Sequence, residues 1–171
     1  MARWSKQQAK DWYLDQPWLV GCNFLPSTAI NQLEMFQQDT YDRQTIEREI
    51  KWARSLGFNS LRIYLHDLLW CEDPKGFCGR LDDLLNICDK HFIRPILVLF
   101  DDCHRPYPKL GKQPLPVSGV HNSGWKQSPG VELVHAIHAD TASEEVFRLK
   151  EFVQGVLTEF AKDQRILMWD I

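Results

Sequence analysis

Four apolar runs of strand length alternate with three amphipathic stretches of helix length, and no other feature of this chain narrows its fold so far. Residues 18–24, 60–65, 94–100 and 166–171 read as buried strands. Between them, Ile46, Ile50, Ala53 and Leu56 recur at helical spacing. Phe77, Leu81, Leu84, Leu85 and Cys88 form a second stripe, and Val146, Leu149, Val153, Val156 and Phe160 a third. The spacing predicts helices from an Asp42 cap to a Gly57 stop, over 74–90 and over 143–162, with a short polar helix over 5–15. The order β-α-β-α-β-α-β predicts an α/β fold with a parallel sheet covered by helices. A doubly wound open sheet and part of a closed barrel both satisfy it. No Gly-x-Gly-x-x-Gly follows the first strand and no Walker-type lysine loop occurs, which weighs against nucleotide-binding versions. In both architectures active sites gather at the carboxyl ends of the strands.

The 171 residues suit a single domain, and 44% apolar with 25% charged residues is ordinary globular usage. A net charge of −3, without a run of Lys and Arg, gives no bulk attraction to nucleic acid. No window is apolar enough to span a membrane, and the opening Met1-Ala2-Arg3-Trp4-Ser5 lacks the apolar stretch of a secretory signal, so the expected location is the cytoplasm. Five cysteines, with no Cys-x-x-Cys, suggest neither a disulfide frame nor a zinc knuckle, and Cys88 reads as a small core residue.

Candidate functional residues lie near the strand ends. Arg62 shares one face of its strand with Tyr64 and His66, opposite Leu61, Ile63 and Leu65. A buried arginine needs an acceptor to offset its desolvation. It is expected either to orient a catalytic carboxylate or to make a structural ion pair. Residues 101 to about 141 form a loop rich in Pro and Gly that carries His104, His121 and Trp125, and a loop of that length suggests a site. Asp101 and Asp102 stand at its start, fit to bind sugar hydroxyls, pair with Arg62 or cap the loop. Asp101, Asp102 and His104 as a metal cluster is a subordinate reading, because no fourth ligand is evident. No cofactor and no metal is expected. His66 and His121 are candidates for holding substrate hydroxyls, and Trp125 and Trp70 for stacking on a sugar or packing under the loop. His135 and His138 receive no function.

Several blocks carry a family resemblance. The run Gly21-Cys22-Asn23-Phe24-Leu25-Pro26-Ser27-Thr28-Ala29-Ile30-Asn31-Gln32-Leu33-Glu34-Met35-Phe36 resembles the first strand and following loop of bacterial cellulase-like glycoside hydrolases related to family 5, often labelled 1,4-β-xylanases. Leu56 to Asp67, Val98 to Asp101, His121 to Trp125 and Ile166 to Ile171 are similar to later segments, in family order. The resemblance implies the N-terminal half of a (β/α)8 barrel, retaining hydrolysis of β-linked glycosides, and an Arg62 near the catalytic carboxylates. It further implies that the fourth strand runs on into a Trp-Asn-Glu-Pro-like segment bearing the acid/base, with the nucleophile near the seventh strand.

The sequence stops at Ile171, before either glutamate, and no residue here matches a catalytic one. A full barrel needs about 250 residues. The expectation is therefore a single incomplete domain over 1–171, a half barrel inactive alone on β-1,4-linked glycans such as xylan or cellulose and prone to self-association through open strand edges. Its substrate-binding residues would be Asn23, Arg62, His66, Asp101, His121 and Trp125, its partner an oligosaccharide or polysaccharide, with no nucleic acid and no membrane. The rivals are a non-catalytic carbohydrate-binding or half-barrel assembly domain, a fragment without a stable fold, and a metal-dependent hydrolase.

Overall fold

The computed structural model describes residues 3–140 and 143–171; Met1 and Ala2 of the N-terminal reading, and Thr141 at the expected loop end, lie outside them. The described elements are α1 (Lys6–Leu14), β1 (Gly21–Asn23), α2 (Gln32–Phe36), α3 (Arg43–Ser55), β2 (Ser60–Tyr64), α4 (Asp67–Glu72), α5 (Pro74–Lys90), β3 (Arg94–Val98), α6 (Val131–Ala139), α7 (Glu144–Phe160) and β4 (Met168–Asp170). The four strands form one all-parallel sheet in the order β1-β2-β3-β4. A doubly wound sheet reverses its strand order at a switch point; this order contains no reversal. No helix among the described residues is long and apolar enough to cross a membrane.

The helices begin where short polar side chains can take up free amides. Ser5, Asp42, Asp73 and Ser143 cap α1, α3, α5 and α7 by accepting from Gln8, Thr45, Gly76 and Val146 N–H groups. Pro74 opens α5, where a missing N–H costs nothing. Gly57, at φ 92°, follows the Leu56 cap of α3 in the left-handed region that a side chain disfavours.

One face of the sheet builds the core. Leu61, Ile63 and Leu65 from β2 and its end, with Leu97 and Leu99 around β3, cluster with Ile46 and Ile50 of α3, Phe77, Leu81, Leu84 and Leu85 of α5, and Phe152, Val156 and Phe160 of α7. Most of these side chains are wholly buried, each contributing about 1.5–3 kcal/mol of transfer free energy.

Three expectations need correction. Residues 18–24 do not form a buried strand: β1 is three residues long and exposed, and Trp18 is 84% exposed. Regular pairing stops short at Asn59, whose side chain accepts from Val20 N–H (2.8 Å) and donates to Trp18 C=O (2.8 Å), while its N–H donates to the Val20 carbonyl (2.9 Å). Leu56 is 75% exposed because α3 ends one residue earlier and its stripe stops at Ala53. The connections also hold more helix than predicted. Residues 25–41 contain α2, α4 sits between β2 and α5, and α6 lies inside the long third loop.

The segment around α2 clamps that long loop. Buried Asn31 donates to Gln113 Oε1 (2.9 Å) and to the Gly124 carbonyl (3.0 Å). Gln32 donates to the Lys126 carbonyl (2.6 Å) and accepts from its N–H (3.2 Å), and Gln37 pairs in the same two-way fashion with Gly111. At Gly124 a Cβ would meet Ile30 Cγ1 at 2.2 Å, so only glycine permits this approach.

Candidate functional site

Alternation along a strand puts Arg62 and Tyr64 of β2 on the face opposite the helix-packed core. Strand register adds Asn23 of β1 beside Arg62, Ile96 and Val98 of β3, and Met168 and Asp170 of β4. The open face of the sheet is thus partly polar, which the core could not tolerate without paired groups.

Arg62 finds its acceptor two strands away. Its Nε and Nη2 donate to Asp170 Oδ2 at 2.8 and 2.6 Å. Both side chains are 37% exposed, so this is a solvent-screened pair rather than a sealed one. The guanidinium also lies 4.6 Å from the Tyr64 ring centre and donates from Nη1 to the Tyr64 hydroxyl. Asn23 and Arg62 line one open groove of about 280 Å³ with Leu19, Cys22 and Ile96.

Towards the carboxyl ends of the strands the face is roofed by the long loop. Trp125 is 7% exposed and meets Tyr64 edge-on at 4.8 Å, with Val98 beneath. Its other side faces the His104 ring at 5.1 Å. Trp125 therefore packs under the loop, as one of its two expected roles required. It also lines a cleft of about 430 Å³ with Ile30, Glu34, Gln113 and Ser123.

Asp101 is buried at the base of the loop. Its backbone pairs both ways with Ser128 at 2.7 and 2.8 Å. Its carboxylate accepts from Cys103 N–H and thiol, at 3.1 and 3.2 Å, and contacts His104 Nδ1. The thiol's hydrogen bond to Asp101, followed by burial and the charges of Asp101 and Asp102, raises the Cys103 pKa above the ordinary thiol value.

The structure places Asn23 and Arg62 in one groove and Trp125 in another, links them through Tyr64, sets Asp101 at the base of the loop, and places the other two candidates elsewhere. His66 is fully buried as the cap of α4: β2 ends at Tyr64, so strand alternation no longer aims residue 66 into the groove. Its Nδ1 lies 3.1 Å from Asp67 Oδ1, whose carboxylate accepts from Ser128 Oγ at 2.9 Å. Burial alone would raise the Asp67 pKa, but the His66 contact, the Ser128 hydroxyl and the Arg148 charge together hold it below the usual carboxylate value. His121 is exposed in a turn. Trp70 packs against Phe152 of α7, on the helix-covered side.

Sequence reasoning put Tyr64 on the face of Arg62 without a role, and missed Asp170 and Cys103. The signal for Asp170 was present: in the last strand it alternates with Trp169, which packs on the core, and so shares the face of Arg62. Neither a scan against models of known protein families nor a search of curated proteins finds a match to this chain.

Proposed function

We propose that this chain forms the substrate-binding side of a (β/α)8 barrel that hydrolyses β-linked glycosides, the reading that its sequence blocks imply. The observation that carries it is the Arg62–Asp170 pair on the sheet face turned away from the helices, flanked by Tyr64 and Trp125. Strands in sequential parallel order, with helices α3, α5 and α7 sharing one core on one face, are what one side of such a barrel requires. A partly exposed guanidinium, an amide and aromatic rings suit a sugar, whose hydroxyls need donors and acceptors and whose ring faces are apolar.

In this reading Arg62 and Asn23 bind or orient, and Asp101 and Trp125 shape the loop over the strand ends. Retaining hydrolysis uses two carboxyl groups about 5–5.5 Å apart, and neither is assigned to a residue of this chain. Asp170 is engaged by Arg62 and serves as its positioning partner.

Calorimetric titration of the 171-residue chain with xylo- and cello-oligosaccharides tests the proposal. Saturable binding is expected, weakened at least tenfold by Arg62→Met. Absence of binding to both series, from a chain shown to be folded by circular dichroism, overturns it.

A second reading, a non-catalytic half-barrel assembly domain, is favoured by one observation: among the described residues no further strand pairs with the outer edges of β1 and β4. Sedimentation analysis separates the two. A concentration-dependent dimer without sugar binding favours assembly, and a monomer that binds sugar favours the first.

A further inference from the structure

The geometry points to a cation site for a zinc-class divalent ion at the carboxyl end of β3, held by Asp101, Cys103 and His104. Their ligand atoms all lie within 4.8 Å of one another. Cys103 Sγ stands 3.2 Å from Asp101 Oδ1 and 3.8 Å from His104 Nδ1. Metal–ligand bonds of about 2.0–2.3 Å in a tetrahedron put neighbouring ligand atoms roughly 3.3–3.8 Å apart, so both sulfur contacts already stand near ligand spacing, while His104 Nδ1 and Asp101 Oδ2, in direct contact, must part to admit an ion.

The donor set selects the ion. One thiolate, one imidazole and one carboxylate suit zinc and its borderline-soft neighbours, whereas magnesium and calcium take oxygen ligands. Three protein donors leave a fourth position, and because Cys103 is exposed that position falls to solvent.

The surroundings hold the donors in place. The Cys103 N–H fixes Asp101 Oδ1, which leaves Oδ2 on the side of His104. The His104 ring rests against Trp125 and Tyr64. Segment 101–105 is pinned at both ends: Asp101 pairs with Ser128, Arg105 N–H donates to the Trp125 carbonyl, and Gln127 N–H donates to that of Arg105. Asp102, the third member in the sequence reading, is replaced by Cys103. On binding, the Cys103 thiol gives its proton to solvent and the sulfur bonds the ion; His104 coordinates through Nδ1 with its proton on Nε2.

The inference stands apart from the carbohydrate reading, and its test reads no sugar. The chelator-dialysed chain is titrated with Co²⁺ and then Zn²⁺. One equivalent of Co²⁺ should give a near-ultraviolet thiolate-to-cobalt charge-transfer band that Zn²⁺ abolishes. Cys103→Ser should remove the band, His104→Ala should weaken binding at least tenfold, and Cys71→Ser should leave both unchanged. In the unaltered chain, Zn²⁺ should protect Cys103 from alkylation, mapped by mass spectrometry, which needs no variant to fold. A missing band, a band that survives Cys103→Ser, or an alkylation rate indifferent to Zn²⁺ overturns the site.

Discussion

The two faces of the sheet differ in what they bury and therefore in what they do. The helix-covered face carries Leu61, Ile63, Leu97 and Leu99, all nearly inaccessible and packed on α3, α5 and α7. The opposite face carries Arg62, Tyr64, Asp170 and Asn23, with one small apolar group of Tyr64, Val98 and Trp125. A domain needs only one such core to fold. The second face can then hold partly exposed polar groups whose loss costs little stability. A strand residue's side of the sheet thus predicts how much stability its mutation costs.

The largest expected effect is on the helix side. Phe152 is fully buried between Trp70 and Phe100, and Phe152→Ala should cost about 3–5 kcal/mol in urea unfolding. A smaller loss would mean that the helix-side core collapses around the gap.

Asp67 lies beyond the end of β2 in the buried network with His66 and Ser128, and Asp67→Asn should cost about 1–3 kcal/mol at neutral pH. Its folded pKa is depressed, so its contribution is complete above the unfolded carboxylate value and is lost as pH falls through the lower folded value. The deficit of Asp67→Asn should therefore shrink as unfolding is measured at pH values progressively below about 4. A constant deficit would contradict the depressed value.

On the open face Arg62→Met should cost about 1 kcal/mol or less, because its ion pair is more than a third exposed. A loss as large as that of Phe152→Ala would remove the distinction between the faces. The smallest effect is expected at Leu56, the exposed cap just past the end of α3: Leu56→Ser should change stability by no more than about 0.5 kcal/mol.

The helix-side face was the legible one. Periodicity located α3, α5 and α7 to within a few residues, because each has a full apolar stripe, and the Asp42 cap marked the start of α3. The stripe on α7 lacked Phe152, a wholly buried ring between Leu149 and Val153. Helices α2 and α4 escaped for a physical reason. α2 buries Gln32, Leu33, Met35 and Phe36, so it has no polar side to set a period, and α4 is only six residues long. Arg62 was legible because an arginine in a parallel strand is costly, but its partner lay 108 residues away. The loop chemistry was least legible. Asp101, Cys103 and His104 meet within one four-residue turn docked against 125–128, and no local pattern encodes that docking.

The central claim, that the open face is the one that meets sugar, is tested most directly by NMR of the arginine Nε–H and tryptophan indole signals during titration with a xylo- or cello-oligosaccharide. The account predicts saturable shifts of Arg62 and Trp125, with Trp52 and Trp70 on the helix side unmoved. Unmoved Arg62 and Trp125 signals, or shifts confined to Trp52 and Trp70, would contradict it.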